Sequence, residues 1–301
     1  MQNATAGPLL FVINPISGTS NKKQLDSHID KFCQKNGINY QILKTTGKKD
    51  GQKIRTAIKE LKPKAIIAGG GDGTVNLVAE QILSSEIMLS ILPLGSANGL
   101  ATELEIPEGW EENFDMLIRP RVQKVDAIQI NEKHLSLHLC DMGFNAELIR
   151  EFEKEGKRGL GGYARSFFKK LAQRKSGRFK VVTPTSSNRY KAEMIVIANA
   201  SSYGTGAIVN PRSDLGDGKF EVCIFKPFPW RKIISMTWHS FVGNLEESEY
   251  FAIHQTNEVT ISSKHQHTLQ VDGEVIGDTN ILKAKCIPAA IRLIVPDHSQ
   301  D

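Results

Sequence analysis

Residues 65–76 read Ala-Ile-Ile-Ala-Gly-Gly-Gly-Asp-Gly-Thr-Val-Asn. Ala65 to Ala68 is a short apolar run of the kind that forms a buried strand. It stops at three glycines, then Asp72-Gly73-Thr74, and Val75, Val78, Ala79, Ile82 and Leu83 follow at helical spacing. A glycine turn between strand and helix lets backbone N–H groups approach an anion with no Cβ in the way, and a helix N-terminus favours negative charge. The stretch therefore predicts a phosphate cradle with a carboxylate inside it. It is neither of the two commonest cradles: no GxxxxGKS/T occurs, and GGGDG lacks the GxGxxG spacing.

Working outward, the first 120 residues alternate strand and helix. Leu9–Asn14 reads as a strand, and a helix from about Lys22 to Lys35 is ended by Gly37. Ile38–Leu43 is a second strand, and a helix from about Gly51 to Leu61 stops before Pro63. The fourth strand, Leu89–Leu92, leads into Pro93-Leu94-Gly95-Ser96-Ala97-Asn98-Gly99 and another helix. Such alternation implies a parallel sheet covered on both faces, with ligands beyond the carboxyl ends of its strands. Three glycine-bearing loops follow strand ends, at 14–18, 69–74 and 93–99, and are expected to converge on one crevice.

After Pro120 alternating segments dominate: Val122–Ile130, His134–Leu139, Arg178–Thr183, Tyr190–Ala198, Phe220–Phe225, Val259–Ser262, Thr268–Val271 and Leu282–Ile287. Turn residues separate them, which predicts a mostly antiparallel second domain, a sandwich or curled sheet. Helical patterns interrupt it at about Gly161–Arg174 and Trp230–Val242, and the apolar run Ile291–Val295 reads as a strand.

A chain of 301 residues is long enough for two domains with full cores. No apolar run reaches the roughly 18 residues of a spanning helix, and Met1–Leu10 lacks the pattern of a signal peptide. Cys33, Cys140, Cys223 and Cys286 form no CxxC pair, so a reducing, cytoplasmic setting is expected, without sulfur-bound metal. Arg150–Lys180 holds eleven Lys/Arg against three Glu, more net charge than the +5 of the whole chain. Tyr163, Phe167, Phe168 and Leu171 make an apolar stripe there beside Arg165, Lys169, Lys170, Arg174 and Lys175. An amphipathic basic helix can lie on an anionic membrane; packing of the stripe on the second domain is the plainer alternative. Phe228 and Trp230 are a second candidate contact of the same kind.

Taken together, Asn14-Pro15-x-Ser17-Gly18, Gly70-Gly71-Asp72-Gly73-Thr74-x-Asn76 and Leu92-Pro93-Leu94-Gly95-Ser96-x-Asn98 resemble the diacylglycerol kinase catalytic-domain family, which includes soluble bacterial lipid kinases and sphingosine kinases. Asn199 through Asp217-Gly218 and Leu269-Gln270-Val271-Asp272-Gly273-Glu274 resemble two further motifs of that family, in order and spacing over nearly the whole chain. The resemblance implies the fold of the diacylglycerol and NAD kinase superfamily. Residues 1–121, completed by 289–301, form a Rossmann-like α/β nucleotide-binding domain. Residues 122–288 form an antiparallel β-sandwich, and ATP sits in the cleft between them.

In family terms Gly70, Gly71, Asp72, Gly73, Thr74 and Asn76 hold the ATP phosphates, with Asn14, Ser17, Gly18, Thr45, Thr46, Gly95, Ser96 and Asn98 as further nucleotide contacts. Backbone donors and a hydroxyl suit phosphate oxygens, and Asp72 near a triphosphate requires Mg²⁺ between them. Without a ligand, Asp72-Gly73 reads as an Asp-Gly turn, and Thr45 and Thr46 as a cap or hydroxyl turn. Leu77 and Gly99 stand where relatives carry acidic residues. Asp214, Asp217 and the Lys219 carbonyl offer hard oxygens for a structural Mg²⁺; a solvated acidic turn is the alternative. Asp272-Gly273 is by spacing a two-residue hairpin turn. The resemblance makes that turn the carrier of the catalytic base, with Asp272 favoured and Glu274 orienting or sharing the role.

The expected activity is transfer of the ATP γ-phosphate to the hydroxyl of diacylglycerol or a related lipid. The protein is expected to act in the cytoplasm, peripherally at the inner face of an anionic membrane. NAD kinase is the alternative enzyme, and a nucleotide-binding homologue without catalysis the alternative of another class. No nucleic-acid partner is expected, and a homodimer is left open.

Overall fold

The computed structural model describes residues 7–18, 24–143, 146–147, 175–203, 208–242 and 244–297. The chain divides into two compact units, residues 1–125 with 289–301, and residues 126–288. The basic helical pattern at Gly161–Arg174 lies outside the described residues, as does the side chain of Trp230. No described helix is long and apolar enough to cross a membrane.

In the first unit, strands β1 (Leu9–Ile13), β2 (Tyr40–Lys44), β3 (Ala65–Gly70) and β4 (Met88–Pro93) lie parallel in the order β2-β1-β3-β4. Every residue of β1 is buried, as a strand covered on both faces requires. Leu9, Phe11 and Ile13 pack with Leu25, Ile29 and Cys33 of α1 (Leu25–Asn36) and with Phe114 and Leu117 of α5 (Trp110–Ile118). Helices α2 (Asp50–Leu61) and α3 (Asp72–Ile82) also lie against β1. Gly37 ends α1 in the left-handed region (φ 63), its N–H turned back to the Cys33 and Gln34 carbonyls. The helix after β4 is only one turn, α4 (Gly99–Glu103), and a second helix, α5, follows Pro107-Glu108-Gly109.

The second unit is the antiparallel β-sandwich domain. Its strands are β5 (Arg121–Ile130, shared with the first unit), β6 (His134–Ser136), β7 (Leu139–Gly143), β8 (Gly177–Val182), β9 (Ser187–Ala192), β10 (Met194–Ala198), β11 (Phe220–Phe225), β12 (Phe251–Thr256), β13 (Glu258–Val271) and β14 (Glu274–Val295). The strand order β12-β11-β10-β7-β13 continues to β14, and β8 and β9 add to the other half of β13. One strand serves both edges because its register shifts between Ser262 and His267, so Thr260–Ser263 pairs with β8 while Leu269–Val271 pairs with β7. Side chains from both halves fill one core, among them Met142, Phe179, Val181, Ile195, Phe220, Ile261 and Leu269. The opposite face of β10 and β11 is covered by Met236 of α6 (Ile233–Val242), by Leu245 and by Phe251, which is why β10 is apolar on consecutive residues.

Several sequence expectations change here. His134–Leu139 is two strands, broken at Leu137 and His138. Tyr190–Ala198 is likewise two, parted at Glu193. Val259–Ser262 and Thr268–Val271 are one bulged strand, and Leu282–Ile287 and Ile291–Val295 are one long one. Phe228 is half-buried with its ring 6.1 Å from that of Tyr250, packed against the domain's core.

Candidate functional site

In the first unit the three glycine loops touch each other. Gly18 (φ +59) lies so near the third loop that a Cβ there would fall 2.2 Å from the Leu94 carbonyl oxygen. A Cβ on Gly95 would fall 2.5 Å from Gly71 Cα and 2.6 Å from Asn98 Oδ1. These glycines are required because backbone meets backbone.

Hydrogen bonds set each loop. Asn14 Oδ1 accepts from Ile16 N (3.1 Å), and Ser17 Oγ donates to the Asn14 carbonyl (3.0 Å). Asn14 Nδ2 reaches Thr74 Oγ1 at 3.5 Å, linking the first loop to the second. Asn98 closes the third loop on itself, Oδ1 accepting from Gly95 N (2.9 Å) and Nδ2 donating to the Gly95 carbonyl (3.1 Å). Asp72 joins the second loop to the third: Oδ2 accepts from Gly99 N (3.0 Å) and Oδ1 from Leu100 N (3.2 Å). The carboxylate thus caps the start of α4. Gly99 takes part through its N–H.

This cradle fits a nucleotide phosphate. The N–H groups of Asp72 and Gly73 open α3, where no intrahelical acceptor exists. Gly73 and Asn76 are half-buried and Ser96 is exposed, while Gly70 and Thr74 are buried beneath them. An ionised carboxylate offers about four lone-pair sites, so Asp72 retains acceptor capacity toward a cation beside its two backbone donors.

Thr45 and Thr46 follow β2. Thr45 is buried, its N–H bonded to the Ile13 carbonyl. Thr46 belongs to the anchorage of Asp50, whose Oδ2 accepts from Thr46 N (2.9 Å) and Gly47 N (2.6 Å). Its Oδ1 accepts from Lys53 Nζ (2.8 Å) and Thr46 Oγ1 (3.1 Å). Burial pushes the Asp50 carboxyl up, but these donors outweigh it and hold it at about 2 against an ordinary 3.8. A carboxyl lowered on folding contributes stability that is full above its unfolded pKa and lost as pH falls through the folded one. Asp50→Asn is therefore expected to be less stable than the parent chain in urea unfolding at neutral pH. The gap should close as pH falls from 3.8 toward about 2; a gap independent of pH would refute the assignment.

In the second unit Asp272 and Gly273 form the turn between β13 and β14, both with positive φ (45° and 88°), and Val271 pairs with Glu274. This is the two-residue hairpin that the Asp-Gly dipeptide encodes. Asp272 is also buried, and its carboxylate holds the chain where β6 breaks from β7. Oδ1 accepts from Ser136 Oγ (2.6 Å), Leu139 N (2.9 Å) and His138 N (3.2 Å), and Oδ2 from Leu137 N (2.8 Å). Residues 137 and 138 cannot continue a strand because their N–H groups point at this carboxylate. Glu274, two residues on, is exposed.

Sequence reasoning missed Ser136, His138 and Asp141. Asp141 is fully buried and accepts from Tyr203 Oη (2.8 Å), Ala146 N (3.0 Å) and Gln270 Nε2. Burial pushes the Cys140 thiol well up, and Asp141 and Asp272 nearby push the same way, which disfavours the nucleophilic thiolate. Among the described residues, His138 Nε2 and Asn199 Oδ1 are buried and have no hydrogen-bond partner. Such atoms mark a place where a water or a ligand completes the bonding. No spacing rule would have found Ser136, His138 or Asp141, since Asp272, Tyr203 and Gln270, which they bond, lie far along the chain.

Asp214 and Asp217 close the 214–219 loop as two Asx turns, accepting from Gly216 N and Lys219 N (2.9 Å each). Asp217 also accepts from Gln255 Nε2 (2.9 Å). Two buried carboxylates stand behind the loop: Asp126 accepts from Gly218 N (2.6 Å), and Glu221 accepts from Asn210 and Gln255. Burial pushes the Glu221 carboxyl up, and Asp217 adds to this, against the hydrogen bonds and Arg212. Among the described residues no group of three or more His, Cys, Asp or Glu is placed to hold a metal ion. The donor chemistry fits Mg²⁺ only if backbone oxygens such as that of Lys219 complete the set.

Two family matches cover nearly all of this. Residues 8–130 match the diacylglycerol kinase catalytic domain, and residues 142–295 match the YegS C-terminal NAD kinase beta sandwich-like domain. The chain therefore belongs to the diacylglycerol kinase-like lipid kinase family. A "Probable lipid kinase YegS-like" of Klebsiella pneumoniae (strain 342) is 27% identical over 281 residues, 92% of this chain and 93% of that one. A "Probable lipid kinase YegS" of Escherichia coli O1:K1 / APEC is 26% identical over 88% of this chain and 89% of its own. The crystal structure of a diacylglycerol kinase from Bacillus anthracis str. Sterne superposes with a TM-score of 0.73 at 17% identity, covering 97% of each chain. A second structure from the same organism reaches 0.78 at 20% identity, again over 97% of each, which shows the fold.

Proposed function

We propose that this lipid kinase transfers the γ-phosphate of ATP to the hydroxyl of diacylglycerol or a closely related lipid, with Mg²⁺. The observation that carries the reading is the mutual fit of the three glycine loops, with Asp72 tying the second to the third. When bound, ATP supplies the phosphoryl group and Mg²⁺ neutralises its charge. The N–H groups that open α3, with Thr74, Asn14, Ser17 and Ser96, would bind and orient the phosphates, and Asp72 would hold the cation. Asp272 takes the proton of the lipid hydroxyl, and Glu274 orients it or shares the role. Phosphoryl transfer asks for positioning more than for a strong base, and four donors hold Asp272 in one orientation. Asp214, Asp217 and the Lys219 carbonyl would hold a structural Mg²⁺, with Asp126 and Glu221 behind them. The protein acts in the cytoplasm, peripherally at an anionic membrane face.

Purified protein with labelled ATP is expected to phosphorylate diacylglycerol in mixed micelles, and Asp72→Asn to abolish this. One amide oxygen can still accept one of the two backbone donors, so the variant should fold. Transfer to NAD instead would establish the alternative enzyme, and ATP binding without transfer to any lipid would establish a non-catalytic homologue.

A further inference from the structure

The second unit carries a charged face that the kinase reading does not use. Arg178 and Lys180 alternate with the buried Phe179 and Val181 along β8, so their side chains leave the core together. In the register of the β8–β9 hairpin, Arg178 stands opposite Lys191 and Lys180 opposite Arg189. On the other side of β8, Ser262 of β13 stands opposite Lys180. Lys264 and His265 extend the same region, and together these residues line a groove of about 920 Å³. The five Lys and Arg side chains and His265 are exposed, and among the described residues no Asp or Glu lines the groove. Among the described residues none of the five Lys and Arg takes part in a salt bridge.

Like charges directly opposite each other in an antiparallel pair are destabilising. Lysines on an edge strand are a common guard against edge-to-edge association, and β9 is an edge. That explanation does not reach Arg178 and Lys180, because β8 is paired on both sides, nor Lys264 on a third strand. Strand geometry puts the four facing cations at the corners of a patch about 5 Å by about 7 Å, with an arginine and a lysine at alternate corners. Arginine offers a planar fork and lysine a point charge, the two groups that recognise phosphate oxygens. Ser262 adds a hydroxyl, and the volume lies within the roughly 300–1,000 Å³ of small-ligand sites.

We infer that the groove over β8, β9 and β13 is a binding site for a phosphate-bearing anion, additional to the nucleotide cradle of the first unit. The ligand carries at least two negative charges, as a phosphate monoester or diphosphate in solution does, or as clustered anionic lipid headgroups do. The inference stands on the charge arrangement and is independent of the chain's activity.

The test uses the full chain and two double variants, Lys180→Gln with Arg189→Gln, and Arg178→Gln with Lys191→Gln. Binding of pyrophosphate is measured by calorimetry. Binding to phosphatidylcholine vesicles with and without phosphatidylglycerol is measured by sedimentation. Each double variant is expected to bind at least one of these probes about 10-fold more weakly or worse, while melting at the same temperature or higher because repulsion is relieved. Loss confined to pyrophosphate identifies a soluble ligand; loss confined to anionic vesicles identifies headgroups. Because the substitutions lie only on β8 and β9, pyrophosphate held in the nucleotide cradle is common to parent and variants and cancels. Unchanged binding of both probes overturns the inference, as does a duplex DNA fragment that binds the groove more tightly than either. If a double variant does not fold, Lys191→Gln alone, on the edge strand, gives the same readout.

Discussion

Asp272→Ala is expected to destabilise the chain by roughly 3–5 kcal/mol, the usual consequence of removing one side of a buried charged network. Three backbone N–H groups and the Ser136 hydroxyl converge on this carboxylate. Alanine leaves all four without their acceptor in a place where water does not replace it. The same substitution removes the proton acceptor we propose, so lost activity alone would be ambiguous. Asp272→Asn separates the two effects. Its amide oxygen can serve the three donors on the Oδ1 side, while its NH₂ group faces Leu137 N, at a cost of about 1–2 kcal/mol. Phosphoryl transfer by the folded Asn variant should still fall about 100-fold or more. Full activity in Asp272→Asn would move the base to Glu274, whereas an unchanged melting temperature in Asp272→Ala would remove the anchoring role.

Gly95→Ala is expected to weaken ATP binding about 10- to 100-fold, read by titration with a non-hydrolysable analogue, from the roughly 1–3 kcal/mol that overpacking costs. The new Cβ would stand 2.5 Å from Gly71 Cα, so the second and third loops must part. Asp72 would then lose its reach to Gly99 N and Leu100 N, and the cradle its shape. Gly71→Ala is the control for thermal stability, because its Cβ would lie at an ordinary 3.4 Å from Gly95 Cα. Equal melting temperatures for the two variants would show that the loops are not in the contact described.

Much of the first unit was legible because its signals are local. β1 and β3 are buried on both faces and so read as unbroken apolar runs, and each of the three loops that follow a strand end carries a glycine. The hairpin at Asp272-Gly273 was legible for the same reason, since the dipeptide's preference for positive φ is intrinsic. The second unit was harder. β13 looked like two strands because its register shift interrupts the alternation between Ser262 and His267. His134–Leu139 looked like one strand because nothing near Leu137 reveals a carboxylate 135 residues away.

Sequence alone determined the α/β-then-β order, the glycine loops and the family, because strand periodicity, turn chemistry and motif spacing are all written in near neighbours. Only the tertiary structure decided what the carboxylates do. Asp72 caps α4, Asp272 anchors the break between β6 and β7, Thr46 serves Asp50, and Asp126 and Glu221 back the 214–219 loop. It also placed Arg178, Lys180, Arg189 and Lys191 face to face. A hydrogen bond or a charge pair depends on distance in space, and strand pairing sets that distance between residues far apart in the chain.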